Sequence, residues 1–366
     1  MREQPKISDE HLRTSLREHY DIYPTTLEFL PIGLDYHAGV YRVVSELGTP
    51  YLLKIKSGSL YEPGCLVPRL LYDQGITSVV APLPTRSNTL WTRVEDWNVI
   101  VYPFLVGDTS WTGMMDEQWK DLGSIFKRIH QVILPSSGFE SLRNETFDPT
   151  EYTHWIRAFE IQHLQEVAEE SVSKRALRLS WIAHQPAIHM VVSSMEKLAG
   201  VLQSQALPFV VCHADLHPAN LLRDQAGRVF VIDWDEVMLA SKERDFLFIN
   251  EIPANNDALP GTPAFFQGYG QVDIDWTALT YYRYERVIQD LIACTQEVFC
   301  RDDLGEETKA DSVQLFQAIL TKGGEIDAAT QALTHLAPDL AIPTRMISQI
   351  ERELTGREKP DTQQTT

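Results

Sequence analysis

The sequence predicts an α+β fold of two lobes, a small antiparallel-sheet lobe first and a larger, mainly helical lobe after it. Residues 25 to 57 read as short strands joined by turns, with LEFLPIG, VYRVVSEL and YLLKIK as the strand segments. Residues 116 to 132, 150 to 170, 173 to 202 and 276 to 299 carry apolar positions at helical intervals. Between the helical stretches, residues 209 to 236, FVVCHADLHPANLLRDQAGRVFVIDWDE, combine short apolar runs, acidic residues and a hairpin signal.

From the start of the chain, Leu12, Leu16 and Tyr20 share one helical face, so a short amphipathic helix over 8–20 opens the first lobe. The small sheet follows, and the segment Gly33 to Gly39 between its first two strands holds two glycines and reads as a hairpin loop. Lys54 lies in the apolar strand Tyr51-Leu52-Leu53-Lys54-Ile55, where an ammonium group wants an anionic partner; Lys56 shares its face and is the alternative. Pro63-Gly64 delays a regular helix until about Leu66. Further strands are expected near 78–83 and 89–94, and an apolar strand from Trp97 ends at Pro103-Phe104, where the chain crosses between lobes. Asp116 caps a helix to about Val132, closed by His130 as a core or capping residue. Pro253 to Pro263 and Gly268-Tyr269-Gly270 read as loops. The helix 276–299 presents Tyr282, Glu285 and an Arg286–Asp290 pair, and the tail beyond Thr355 is polar. The lobes are expected over 1–105 and 106–355, with a disordered tail over 356–366.

Composition narrows the function. The 366 residues suit one large or two moderate domains, at roughly 100 to 200 residues each. A hydrophobic content of 43% supports a core, yet no apolar run reaches the ~18 residues of a membrane helix. The N-terminal segment MREQPKISDEHLRTSLREHY lacks the apolar centre of a secretory signal, so the cytoplasm is expected. Cys65, Cys212, Cys294 and Cys300 show no Cys-x-x-Cys spacing and read as packing residues. Asp and Glu exceed Lys and Arg by 51 to 32, a net charge of −19, which argues against nucleic acid. The same acidity attracts a cationic small molecule, although solubility explains it equally.

The window at 209–236 carries the chemistry. A bend centred between Ala226 and Gly227 sets residue 221 opposite 232 and brings Asn220 opposite Asp233. An amide oxygen and a carboxylate are hard ligands that hold Mg2+ together with substrate phosphates. Asp215, on the loop leading to that end, can accept a proton from an attacking hydroxyl or orient it. His213 and His217 have a spacing that binds zinc on a helix, but Pro218 points to a loop. Metal-assisted phosphoryl transfer is the chemistry this set of side chains fits.

His213-Ala214-Asp215, Asn220 and Ile232-Asp233 together resemble the catalytic loop and metal-binding segment of the aminoglycoside phosphotransferase family, small-molecule kinases on the protein-kinase fold. His-Ala-Asp departs from the commoner His-Gly-Asp. The resemblance implies a bilobal protein-kinase-like fold using ATP and Mg2+, with Asp215 as catalytic base and Asn220 and Asp233 as metal ligands. It further implies that Gly33 opens a loop over the phosphates, that Lys54 anchors the nucleotide and pairs with Glu62, and that Tyr102, Phe104 and Leu105 line the base pocket. It also implies that Asp245 in Ser-Lys-Glu-Arg-Asp-Phe braces the catalytic loop through its backbone. YLLKIKSG, VYPF, VIDWDEVMLASKERDF and YYRYERVIQD resemble the branch that phosphorylates the aminocyclitol spectinomycin. That implies inactivation of an aminocyclitol or aminoglycoside antibiotic, with Asp235, Glu236, Tyr282 and Glu285 facing the substrate. A kinase for choline, methylthioribose or homoserine, or a nucleotide-binding regulator without turnover, is the alternative.

Overall fold

The computed structural model describes residues 4–33, 38–110, 112–165, 170–249, 262–321, 324–336 and 340. Residues 34–37 of the glycine loop, the expected loop at 253–263 up to residue 261, and the tail at 356–366 lie outside them. The first half of the chain forms α1 (Asp9–Tyr20), β1 (Pro24–Leu30), β2 (Ala38–Ser45), β3 (Pro50–Ser57), α2 (Pro63–Asp73), β4 (Thr92–Val94), β5 (Trp97–Pro103), β6 (Gly107–Asp108), α3 (Asp116–His130), β7 (Arg143–Asn144) and α4 (Thr150–His163). Then follow α5 (Val172–Leu202), β8 (Val210–Cys212), β9 (Leu221–Asp224), β10 (Val229–Val231), β11 (Met238–Ala240), α6 (Thr262–Tyr269), α7 (Trp276–Cys300), α8 (Glu306–Ile319) and α9 (Glu325–Ala332).

Contacts divide the chain into two units. The first comprises Met1–Glu145, Phe209–Phe248 and Gly261–Val272; the second comprises Thr146–Pro208, Ile249–Pro260 and Asp273–Thr366. In the first unit an antiparallel sheet has the order β1-β2-β3-β5-β4, and burial alternates along β2 and β3. Leu53 and Ile55 of β3 bury against Leu12 and Leu16 of α1 with Val43, Val99 and Val101, all at 0% exposure. The opposite face of β3 therefore belongs to Leu52, Lys54 and Lys56, which leaves both ammonium groups on one side of the sheet. Ser8 caps α1 by accepting from Glu10 N, and Asp21 ends it in the left-handed region, φ 56°.

Several expectations need correction. Helix α2 begins at Pro63 rather than near Leu66, because proline at the first helical position has no N–H to lose. Residues 78–83 form no strand; Val79 makes a single parallel bridge to Val231, supported by Val80 N donating to Val231 O at 3.0 Å. Val79 and Ala81 bury without a ladder, and Val80 and Leu83 are half-buried. Gly268-Tyr269 is the end of α6 and not a loop. A Cβ on Gly268 would lie 1.8 Å from the Lys120 carbonyl oxygen, and one on Gly123 would lie 2.0 Å from that of Phe265. Both glycines thus serve the close approach of α3 and α6. Gly268→Ala is expected to cost about 2 to 3 kcal/mol by overpacking, measured as a lower urea midpoint with unchanged m-value. Of the cysteines, Cys65, Cys212 and Cys294 are buried, whereas Cys300 is exposed at the end of α7 and packs nothing away.

The second unit is helical. Its long helices α5 and α7 pack together, with Trp181 stacked on Phe316 at 5.8 Å and set against Phe159 at 4.6 Å. A buried pair joins Arg178 to Glu170 at 3.0 Å. The expected Arg286–Asp290 pair is formed at 2.7 Å.

Candidate active site

The hairpin at the centre of the first unit has a register shifted by one from the expected one. Leu221 pairs with Val231 and Arg223 with Val229. The loop therefore has Gln225, Ala226 and Gly227 between the closing pair Asp224 and Arg228, with Asp224 N donating to Arg228 O at 3.0 Å. Asp224 Oδ1 accepts from Ala226 N and Arg228 N, and Gly227 takes φ 81°, the left-handed position such three-residue loops need. Asn220 consequently faces Ile232, whose N–H donates to the Asn220 carbonyl at 3.0 Å. Asp233 follows one residue later with φ 60°, a conformation aspartate tolerates better than most residues.

Asn220 sits on the 3₁₀ turn Pro218–Asn220 and is nearly buried. Its Nδ2 donates to the main-chain oxygen of Asp215 at 2.8 Å and to Asp215 Oδ2 at 3.0 Å. With the amide nitrogen committed to two acceptors, Oδ1 is the atom turned elsewhere. His217 bears on the same carboxylate oxygen. Its Nδ1 accepts from Ala219 N, so Nε2 carries the proton and faces Asp215 Oδ2 at 3.3 Å. His213, fully buried, turns Nε2 to Ile232 O at 2.9 Å and receives Asp215 N on Nδ1 at 3.3 Å. Both rings bind protein partners within the loop, which is a use different from a zinc pair.

Asp245 lies under this loop. It is 1% exposed, and its carboxylate accepts from His213 N at 3.0 Å, Ala214 N at 2.8 Å and His130 Nε2 at 2.9 Å. His130 Nδ1 meets the Tyr269 hydroxyl at 2.8 Å. The Cys212 thiol, also near Asp245, points at the carbonyls of Ala240 and Ser241, and burial pushes its pKa well up. A protonated thiol and a doubly bonded imidazole make this cluster a hydrogen-bonded brace rather than a cation site. The signal for His130 in the sequence was only its place at a helix end. Ala214 itself has φ 70°, a position where a Cβ costs about 1 kcal/mol. Ala214→Gly is expected to raise stability by about that amount with turnover retained, read from thermal unfolding and steady-state rates together.

Lys54 is paired, but not with Glu62. Its Nζ stands 2.9 Å from Asp233 Oδ1 and 2.8 Å from Asp235 Oδ2. Burial alone would lower the Lys54 pKa; Asp233 and then Asp235 reverse that and hold it above the ordinary lysine range. Glu62 is exposed at the start of α2, where its main chain, not its carboxylate, engages the helix. Asp235 is correspondingly occupied. Lys56 Nζ also lies 2.8 Å from its Oδ2, and although burial resists ionisation, Lys54 and Lys56 bring the Asp235 pKa down to about 2. An Asp235 carboxylate held by two lysines is an internal ion-pair partner and not an open substrate contact. Glu236 is exposed and bridges to Arg143 at 3.1 Å.

The remaining expected residues divide. Gly33 has φ 85°, with residues 34–37 beyond it undescribed. Tyr102 pairs with Leu52 across the sheet, and its hydroxyl hydrogen-bonds the Cys65 thiol, whose pKa burial pushes up to about 12. Phe104 lies under Arg42 at 5.5 Å. Leu105 lines a cavity of about 630 Å³ with Pro103, Ile125, Arg128 and Phe230. That cavity contains none of Lys54, Asp215, Asn220 or Asp233. Tyr282 and Glu285 belong to the second unit, where they are 1% and 6% exposed. Tyr282 packs on Phe147 and Tyr281, and Glu285 lies 3.5 Å from the Tyr281 hydroxyl, so both side chains of α7 are buried among protein partners.

The donor set fits a hard divalent cation. Asn220 Oδ1 and the Asp233 carboxylate are hard oxygen donors on adjoining backbone, and Asp233 is 46% exposed. The Lys54 ammonium beside them is a cation of the kind that phosphate oxygens bind.

A model of the phosphotransferase enzyme family matches residues 28–282. A spectinomycin phosphotransferase solved with ADP and spectinomycin is 30% identical, covers 90% of this chain and 99% of its own, and superposes with a TM-score of 0.81. An AMP-bound complex of spectinomycin phosphotransferase is 29% identical over 88% of this chain and 98% of that one, TM-score 0.76. An amicoumacin kinase in complex with AMP-PNP and Ca2+ shares the fold at 16% identity, TM-score 0.57, over 85% and 93% of the two chains. No curated protein matches in sequence. The architecture is that of protein-kinase-like phosphotransferases, and among the described residues no helix is long and apolar enough to cross a membrane. On the family match and this likeness over nearly its whole length, the chain belongs to the phosphotransferase enzyme family and is a small-molecule kinase.

Proposed function

We propose that the protein transfers the γ-phosphoryl group of ATP to a hydroxyl of spectinomycin or a related cationic aminocyclitol, and that this inactivates the antibiotic. The observation that carries the reading is the contact of Asn220 with Asp215 at 3.0 Å beside the Lys54–Asp233 pair at 2.9 Å. In one unit it joins a base, an oxygen ligand and a phosphate-seeking cation. Asp215 orients the acceptor hydroxyl and takes its proton through the carboxylate, while the Asn220 and His217 donors on Oδ2 fix that carboxylate in rotation. Asn220 and Asp233 would hold Mg2+, which when bound would supply charge neutralisation on the phosphoryl oxygens. Lys54 binds nucleotide phosphate, and the strand end at Tyr102 to Leu105 lines the base pocket.

The acceptor side rests on the 30% identity with a spectinomycin phosphotransferase and on the net charge of −19, which attracts a cationic substrate. An enzyme that consumes ATP works where ATP is made, so we assign it to the cytoplasm. The test is a panel of acceptors with coupled ADP release: spectinomycin, other aminocyclitols and aminoglycosides, choline, ethanolamine, methylthioribose and homoserine. Acceptor-dependent ADP release led by spectinomycin is expected. A higher kcat/KM with choline or another metabolite would replace this reading by that of a metabolic kinase.

A further inference from the structure

Lys54 and Lys56 are two positions apart on β3 and leave the same face of the sheet. Their ammonium groups converge on one atom, each 2.8 Å from Asp235 Oδ2. Lys54 also meets Asp233 Oδ1 at 2.9 Å. The lysines are 13% and 17% exposed and Asp235 is 27% exposed, so an uncompensated charge here is more costly than at an open surface.

The arrangement sets a condition on Lys54. Two of its three N–H donors are held by Asp233 and Asp235, so an anionic ligand must share the Lys54 charge with both carboxylates. Asp233 retains an oxygen-seeking cation as its partner in the function proposed above. Asp235 has no such replacement on its own segment, where Glu236 repels it and is turned to Arg143. What stays beside Asp235 is Lys56.

We propose that Lys56 is a positioning residue, which keeps Asp235 paired while Lys54 turns to the nucleotide phosphates, so that Asp235 does not compete with the nucleotide for Lys54. The inference rests on the kinase reading above and adds to it an exchange of ion pairs. Without Lys56, Asp235 draws Lys54 back and nucleotide binding weakens. Without both Lys56 and Asp235, the competitor is gone.

The experiment measures ATP binding by calorimetry in the presence of Mg2+, using the full chain and no acceptor. Lys56→Met is expected to weaken ATP about tenfold, Lys56→Arg to stay near wild type, and the Lys56→Met/Asp235→Asn double variant to recover most of the loss. Thermal unfolding confirms that each variant is folded. If Lys56→Met alone does not fold, the same substitution in the Asp235→Asn background serves: there it should leave ATP affinity unchanged. A folded Lys56→Met protein with wild-type affinity, or a double variant as weak as the single one, overturns the inference while leaving the kinase reading intact. A wild-type protein that binds no ATP overturns both.

Discussion

Asp215→Ala is expected to lower kcat by about 10²- to 10⁴-fold, the range a positioned general base contributes, with ATP affinity held within a few-fold. The structure explains why the two effects separate. The Asp215 carboxylate faces Asn220 and His217, whereas Lys54 is held by Asp233 and Asp235. Removing the carboxylate also spares the second Asn220 bond, because Nδ2 donates at 2.8 Å to the main-chain oxygen of residue 215, which alanine keeps. The amide remains oriented and its Oδ1 remains available. Steady-state rates beside direct nucleotide titration check this, and a kcat near wild type would remove Asp215 from the chemistry.

Asp245→Ala is expected to act on stability, by about 3 to 5 kcal/mol. The side chain is buried and accepts from two main-chain N–H groups, at His213 and Ala214, and from His130. Truncation leaves two buried amides and an imidazole without their acceptor, and each unsatisfied group costs about 1 to 3 kcal/mol. Against a typical total of about 5 to 15 kcal/mol, the variant unfolds at much lower urea. Because those amides immediately precede Asp215, the fraction that remains folded should also turn over slowly. Asp245→Asn, which keeps one acceptor oxygen, should fall between. A loss below about 1 kcal/mol in the alanine variant would mean the brace holds nothing.

Much of this was legible in the sequence because it depends on local spacing. The five-residue step from Asp215 to Asn220 and the short hairpin to Asp233 bring those residues onto adjoining backbone whichever way the loop closes. The register was misjudged by one because Asp224 binds two amides of the loop and Gly227 takes the left-handed position, a choice between turn types that Asp-Gln-Ala-Gly does not decide alone. Partners brought from far along the chain were harder. Lys54 meets Asp235 from 181 residues away, and nothing local favours Asp235 over the nearer Glu62. The burial of Tyr282 and Glu285 was hard to read for another reason: α7 buries residues around most of its girth, Tyr281, Tyr282 and Tyr284 among them, so periodicity names no outward face. Gly268 looked like a turn and instead lets two helix backbones touch, since a missing Cβ serves both purposes.

The most direct measurement follows the phosphoryl group. Wild-type protein incubated with ATP labelled at the γ-phosphate, Mg2+ and spectinomycin should pass the label to the antibiotic in step with ADP formation, and Asp215→Ala should not. Label released only as inorganic phosphate, at a rate indifferent to spectinomycin or any other acceptor, would contradict direct transfer to a bound hydroxyl.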